Sequence, residues 1–370
     1  MKPSFLVSLS LIFASTACGQ KADPAAPVGV PPIVAEVQAA DQFGAFDAPI
    51  KGLAFWAHPT LPYNGMLIAA SEKGLVAFNM EDGEEVSRAD GVPATGVSVS
   101  YTGAGAAAQG FAAVSMAGVD GGPGDIGFFA IDNATRGLTS LSSQRVGGGK
   151  DDQGFCLGRN EAGDRLVLHR MRAKGWSSQT IGGDSSAETK SASFRGGFVA
   201  CVADDVDRAV FAVTAAGDIY RIGADGAVGK SPLARSGVSN PAGIGLSLSG
   251  LVDGGPTEEC CGYLYVLNGA DASVHVFDRD DGRAVGAIKL AASFDVDGVS
   301  VATTLGVGQG NFGAVYRDGA LALATNGAAP HVRLAPLNAV MSALSAPLGA
   351  PITLRALGGQ DEEEPVLDIK

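Results

Sequence analysis

Few residues of this 370-residue chain are spaced for chemistry. Asp120 to Asp125 (DGGPGD) could bind calcium through loop carboxylates, but the tandem repeat of a calcium-binding β-roll is absent. Gly147-Gly148-Gly149-Lys150 puts a lysine behind glycines, as a phosphate loop does. It lacks the spaced leading glycine and the Ser/Thr that opens a helix, so it reads as a turn. Gly308-Gln309-Gly310 reads as a loop. No Gly-x-Ser-x-Gly elbow stands with a matched histidine for acyl transfer. The four histidines are scattered and no cysteine pair has Cys-x-x-Cys spacing, which argues against zinc. His58, inside Trp56-Ala57-His58-Pro59, reads as a structural turn residue.

Cys18 has a chemical context of its own. Lys2, the apolar run Phe5 to Ala14 and the box Ser15-Thr16-Ala17-Cys18 read as a lipoprotein-type leader over residues 1–18, with Cys18 as the acylated first residue. The apolar run is too short to span a bilayer. An ordinary signal peptide cleaved near Ala17 is the alternative. Residues 19–40 are rich in Ala, Pro and Val, with Pro24, Pro27, Pro31 and Pro32 favouring extended backbone, and read as a tether. The expected location is a bacterial cell envelope, lipid-anchored at the outer membrane, with the anchor as the only membrane contact. The net charge of −13 argues against nucleic acid, which demands basic patches. Part of that charge is the run Asp361 to Glu364, within a 345–370 segment that reads as an acidic tail.

The elements that would position any site are short strands. With 53 glycines and a low aromatic fraction, the composition fits many strands separated by Gly/Asp/Asn turns. Asp47 to Gly83 shows the unit. An aromatic-His-Pro turn leads to an apolar strand (Met66 to Ala70), a tight turn at Lys73-Gly74, a second strand (Leu75 to Phe78) and a closing turn at Asp82-Gly83. Similar closures recur at Gly127 to Gly137, Gly217 to Gly226 and Ala272 to Gly282, and a weaker blade fits near Leu166 to Trp176. The span 41–344, at about 50 residues per blade, predicts an all-β, six-bladed β-propeller with no internal domain boundary. Helical period appears only at Leu337 to Leu344. The four cysteines after Cys18 allow three pairings. Cys156 and Cys201 lie on strands opening neighbouring blades, so a bridge between them is conceivable. Cys260 and Cys261 are adjacent, and either form a vicinal disulfide or stay as thiols.

Several ordered segments resemble the β-propeller phytases, calcium-dependent enzymes that strip phosphates from phytate. The opening blade resembles theirs around Trp56-Ala57-His58-Pro59. Gly154-Phe155-Cys156-Leu157-Gly158-Arg159, Val199-Ala200-Cys201-Val202-Ala203-Asp204-Asp205 and Gly262-Tyr263-Leu264 are similar to family elements. So are Val274-His275-Val276-Phe277-Asp278-Arg279, Val296-Asp297-Gly298-Val299 and His331 to Pro336. The resemblance implies a channel mouth where calcium, held by six to eight oxygens, binds phosphate and activates water beside Lys and Arg.

Carried over residue by residue, that site is depleted. The family's first aspartate pair falls on Lys51 and Gly52, its Glu-Gly-Cys glutamate on Val199, and later acids on Thr214, Ala215, Ala242 and Ile244. What the resemblance leaves is Asp297 and Asp318 as metal ligands, and Lys73 and Arg159 as phosphate contacts. Asp297 before Gly298 and Lys73 before Gly74 also fit plain turns. The expectation is a degenerate, monomeric phytase-like propeller that binds an anionic ligand, such as an inositol phosphate, or a partner. The alternative is an active 3-phytase-like phosphomonoesterase acting on myo-inositol hexakisphosphate, with calcium as cofactor and an atypical site.

Overall fold

The computed structural model describes residues 34–44, 46–117, 123–141, 144–182, 189–250, 261–327 and 329–351. Within these, the strands form six sheets, one per blade. β1 (Val34–Gln38) and β2 (Asp41–Phe43) come first in the chain but belong to the last two blades. Blade 1 holds β3 (Ile50–Trp56), β4 (Met66–Ser71), β5 (Gly74–Asn79) and β6 (Glu85–Asp90). Blade 2 holds β7 (Ala94–Thr102), β8 (Gln109–Ala117), β9 (Pro123–Ile131) and β10 (Leu138–Ser140). Blade 3 holds β11 (Asp152–Arg159), β12 (Leu166–Arg172), β13 (Gly175–Ile181) and β14 (Thr189–Ser193). Blade 4 holds β15 (Ala200–Asp204), β16 (Ala209–Val213), β17 (Asp218–Ile222) and β18 (Ala234–Arg235). Blade 5 is built on β19 (Gly243–Gly250), β20 (Cys261–Asn268), β21 (Ser273–Asp278) and β22 (Ala284–Ala291). Blade 6 holds β23 (Thr304–Gly308), β24 (Ala320–Thr325), β25 (His331–Pro336) and then β2, which completes it. The all-β, six-bladed propeller expected from the turn spacing is the observed fold.

The strand patterns follow from packing on both faces. Every residue of β4 and of β5 is buried, because neighbouring blades cover both sides of the sheet. Trp56, Ile68, Ala112 and Phe129 pack between blades 1 and 2, and Phe55, Leu67, Ala322 and Val332 between blades 1 and 6. The turn at Glu72-Lys73 is closed by Gly74, whose φ of 141° a side chain would not tolerate, and whose missing Cβ leaves room for the Ala89 carbonyl.

The inner strands β3, β7, β11, β15, β19 and β23 all run the same way along the ring axis. A Cβ on Gly52, near the start of β3, would lie 2.7 Å from the Val97 nitrogen near the start of β7. One on Gly154 would lie 2.5 Å from the Val199 carbonyl, just before β15. At the other end, a Cβ on Gly158 would meet the Ala203 methyl at 2.9 Å. Beginnings therefore meet beginnings, and the channel has an entry mouth at the strand starts and an exit mouth at the strand ends.

Two expected boundaries move. Val34–Gln38, placed within the 19–40 tether, is β1, paired in parallel with β22 from Val34↔Ala287 to Gln38↔Ala291. Alternation places Val37 inward at 4% exposed between exposed Glu36 and Gln38, which a proline-rich composition conceals. The 345–370 tail likewise begins with ordered chain. After α1 (Leu337–Ala343), which seats Leu337, Val340 and Met341 in the core, the backbone reaches β26 (Ala350–Pro351). β26 pairs with Ser249 and Gly250 at the exit end of β19. The leader at 1–18 with Cys18, and the rest of the tether and tail, lie outside the described residues.

Cys156 on β11 and Cys201 on β15 are joined by a disulfide, Cα to Cα 5.6 Å, linking the inner strands of blades 3 and 4. Beside it His169 faces Trp176, ring centres 6.1 Å apart, and its Nδ1 is buried with no hydrogen-bond partner among the described residues. Burial pushes its pKa down to about 4 from an ordinary 6.5. A depressed folded-state pKa makes the contribution of neutral His169 complete above pH 6.5 and lost as pH falls towards 4. We expect wild-type protein to lose roughly 2–3 kcal/mol more than His169→Gln across that interval, by denaturant melts at each pH. Parallel losses in the two proteins would refute this.

Candidate functional site

The six inner strands enclose a channel of about 1010 Å³. Its walls are mostly small and apolar side chains, including Leu53, Val97, Leu157, Val202, Ile244 and Leu305. Such a lining is what inner-strand sequences like GIGLSLSG and ATGVSVSYT dictate, since glycine and serine let six strands approach the axis. The charged residues lining the channel are Lys51 and Asp152 at the entry mouth and Asp205 at the exit mouth.

Each of these charges has a partner. Lys51 Nζ lies 3.7 Å from Glu72 Oε1. Asp152 sits between two guanidiniums, with Arg170 Nη1 at 3.5 Å and Arg172 Nε at 3.3 Å, and accepts a 2.9 Å bond from the Gly149 amide. Asp205 accepts a 3.2 Å bond from the Arg159 amide, with Arg159 Nε 3.7 Å away. Burial drives the Asp205 pKa up, against the pull of the Arg159 charge.

The four phosphate and metal candidates do not converge. Lys73 lies in the entry-side turn between β4 and β5, where its Nζ donates a 2.6 Å bond to Asp47. That contact holds the Asp47 carboxyl below its ordinary range. Asp297 is on the same side, in the loop between β22 and β23, with its side chain 94% exposed and Arg333 Nη2 4.0 Å away. Arg159 is at the exit end of β11, its side chain 2% exposed and donating to the Gly103 carbonyl at 3.2 Å. Asp318 is also on the exit side, where its carboxylate accepts a 3.4 Å bond from Asn338 Nδ2. The candidates thus split between opposite ends of the ring, and none lines the channel. Among the described residues, no three His, Cys, Asp or Glu side chains gather to hold a metal ion.

Gly52 supplies the physical reason at the entry mouth. The resemblance would put an aspartate there, but the contact with Val97 leaves no space for a Cβ. Carboxylates at Val199, Ala242 or Ile244 would stand in an apolar wall where an unpaired charge is costly.

The exit side carries an ionic hub that the sequence reading did not single out. Arg279, 3% exposed, directs Nε to Asp204 at 2.6 Å, Nη2 to Asp207 at 2.6 Å and Nη1 to Asp280 at 3.2 Å. Asp207 also accepts from Arg221 at 2.7 Å. Burial disfavours the Arg279 charge, but the Asp204 and Asp207 carboxylates outweigh it and its pKa rises. The turn after β15 (Asp204-Asp205-Val206-Asp207-Arg208) joins blade 4 to blade 5 through Arg279 and to blade 3 through Arg159. Three aspartates closing an apolar strand were the available sequence signal.

No protein-family model matches the chain, and no curated protein matches it. Among solved structures it is similar to BBS1N, crystallised in complex with ARL6DN and soaked with mercury, at 12% identity over 74% of this chain and 76% of that one, TM-score 0.42. It is also similar to Hsv2 of Kluyveromyces lactis, at 12% identity over 75% of this chain and 71% of that one, TM-score 0.39. What the six blades themselves supply is a ring with a channel and two loop-built mouths.

Proposed function

We propose that this chain is an envelope-anchored, phytase-like propeller that binds an organic ligand or a partner at its channel and does not hydrolyse phosphate esters. The observation that carries the reading is the channel lining. Lys51, Asp152 and Asp205 are each ion-paired, and the rest of the wall is small, apolar or neutral-polar. Metal-assisted phosphoryl transfer needs convergent oxygens for the cation and cations for the developing charge. A channel of about 1010 Å³ with an apolar wall instead suits an organic guest. The leader ending at Cys18 supports acylation and tethering of the propeller to an envelope membrane.

Calcium titration followed by the melting temperature tests this reading. A ligand that binds only the folded state raises the melting temperature in proportion to its occupancy. We expect no rise at millimolar calcium, in wild type or in Asp297→Ala. A rise in wild type that Asp297→Ala abolishes would contradict the proposal.

A further inference from the structure

The exit half of the channel has a polarity of its own. Asp205 lines it with a side chain 22% exposed, whereas its partner Arg159 is only 2% exposed. The guanidinium is tucked between blades 2 and 3, so the channel sees the carboxylate and not the cation that balances it. Ser100 also lines the channel, is 2% exposed, and its buried hydroxyl has no hydrogen-bond partner among the described residues. An orphaned buried hydroxyl is unfavourable unless something fills its hydrogen-bonding capacity. Ser98, two residues earlier on the same strand face, accepts a 3.0 Å bond from the Leu157 amide. The amide two residues on, that of Arg159, goes to Asp205 instead, and this leaves Ser100 open.

On the exit face, the β11–β12 loop beside this mouth carries Glu161, Asp164 and Arg165, while the outer hairpins of blades 1 and 2 carry Glu81, Asp82, Glu84 and Asp132. In the same half of the channel, Phe55, Val99, Leu157 and Val202 line an apolar wall.

The geometry points to a binding site for a primary ammonium group with an apolar body in the exit half of the channel. Asp205 is its counter-ion, the Ser100 hydroxyl an acceptor for a second N–H, and Phe55, Val99 and Leu157 the wall for the body. An ammonium offers three donors and no acceptor, which matches a carboxylate and an open hydroxyl. This inference rests on the reading of the channel as a ligand site and names the class of ligand.

Calorimetric titration with n-hexylamine, and with hexanoate as a probe of equal body and opposite charge, tests it at neutral pH. We expect hexylammonium to bind and hexanoate not to bind. Asp205→Asn should weaken hexylammonium at least about tenfold, and Ser100→Ala should weaken it by a smaller factor. Because Asp205→Asn leaves Arg159 without its counter-charge, its fold is checked by circular dichroism, and Ser100→Ala serves as the independent arm. Equal binding of both probes, no binding of hexylammonium, or unchanged affinity in folded Asp205→Asn and Ser100→Ala would overturn the site. None of those outcomes alters whether phosphate esters are hydrolysed or calcium binds, so the two proposals fail separately.

Discussion

Replacing Arg279 with methionine should cost about 3–5 kcal/mol, the scale on which a buried ion pair fails when one partner is removed. Methionine keeps most of the side-chain volume, so the loss isolates charge. Asp204, its side chain fully buried, would keep only the Val206 and Asp207 amides at 3.0 and 3.1 Å to satisfy its charge. Asp207 would keep Arg221. The melting temperature should fall by about 5–8 °C for a chain of this size. The double variant Asp204→Asn with Arg279→Met should recover a large part of that, since removing both charges leaves no uncompensated ion. A single variant within 1 °C of wild type would show that the hub does not join blades 4 and 5.

A chain beginning at residue 44, lacking β1 and β2, should fail to melt cooperatively and should aggregate. Ring closure depends on that short segment. β2 pairs Asp41 with Leu334 and Phe43 with Val332, across nearly the whole sequence. Tyr316 donates a 2.6 Å bond to Asp41, and Phe43, 5% exposed, packs on Phe78 with ring centres 6.1 Å apart. Without it, blade 6 keeps three strands, β25 becomes an open edge, and Phe78 and Val332 lose their cover. The point variant Phe43→Ala should lose about 3–5 kcal/mol. Size-exclusion chromatography and a thermal melt check both. A monodisperse truncated chain melting like one that begins at residue 33 would refute the closing role.

How far this was legible from residues alone varies along the chain. The hairpin at Met66 to Phe78 was readable because a two-residue turn before Gly74 forces antiparallel pairing and both strands are apolar throughout. The blade count followed from the length of the span 41–344 at about 50 residues per blade, with recurring turn closures marking the unit. β2 was not readable as the closing strand, because its three residues acquire strand character only from Val332 to Leu334, hundreds of residues away. The site was harder still. Sequence order aligned Lys73 and Arg159 with one function, yet one follows the second strand of its blade and the other ends a first strand. That parity places them at opposite mouths. Gly52 gave no hint that its lack of a side chain serves contact with Val97, because the contact exists only once blades 1 and 2 are side by side. The open hydroxyl of Ser100 depends on where the Arg159 amide points, which no spacing within β7 encodes.

The central claim is that the propeller scaffold is present while the described channel holds no machinery for phosphate ester hydrolysis. Release of inorganic phosphate from phytate, followed at stoichiometric protein with and without excess calcium, tests it most directly. The account predicts no release above the protein-free control in either condition. Calcium-dependent release, lost in Asp297→Ala, would contradict it.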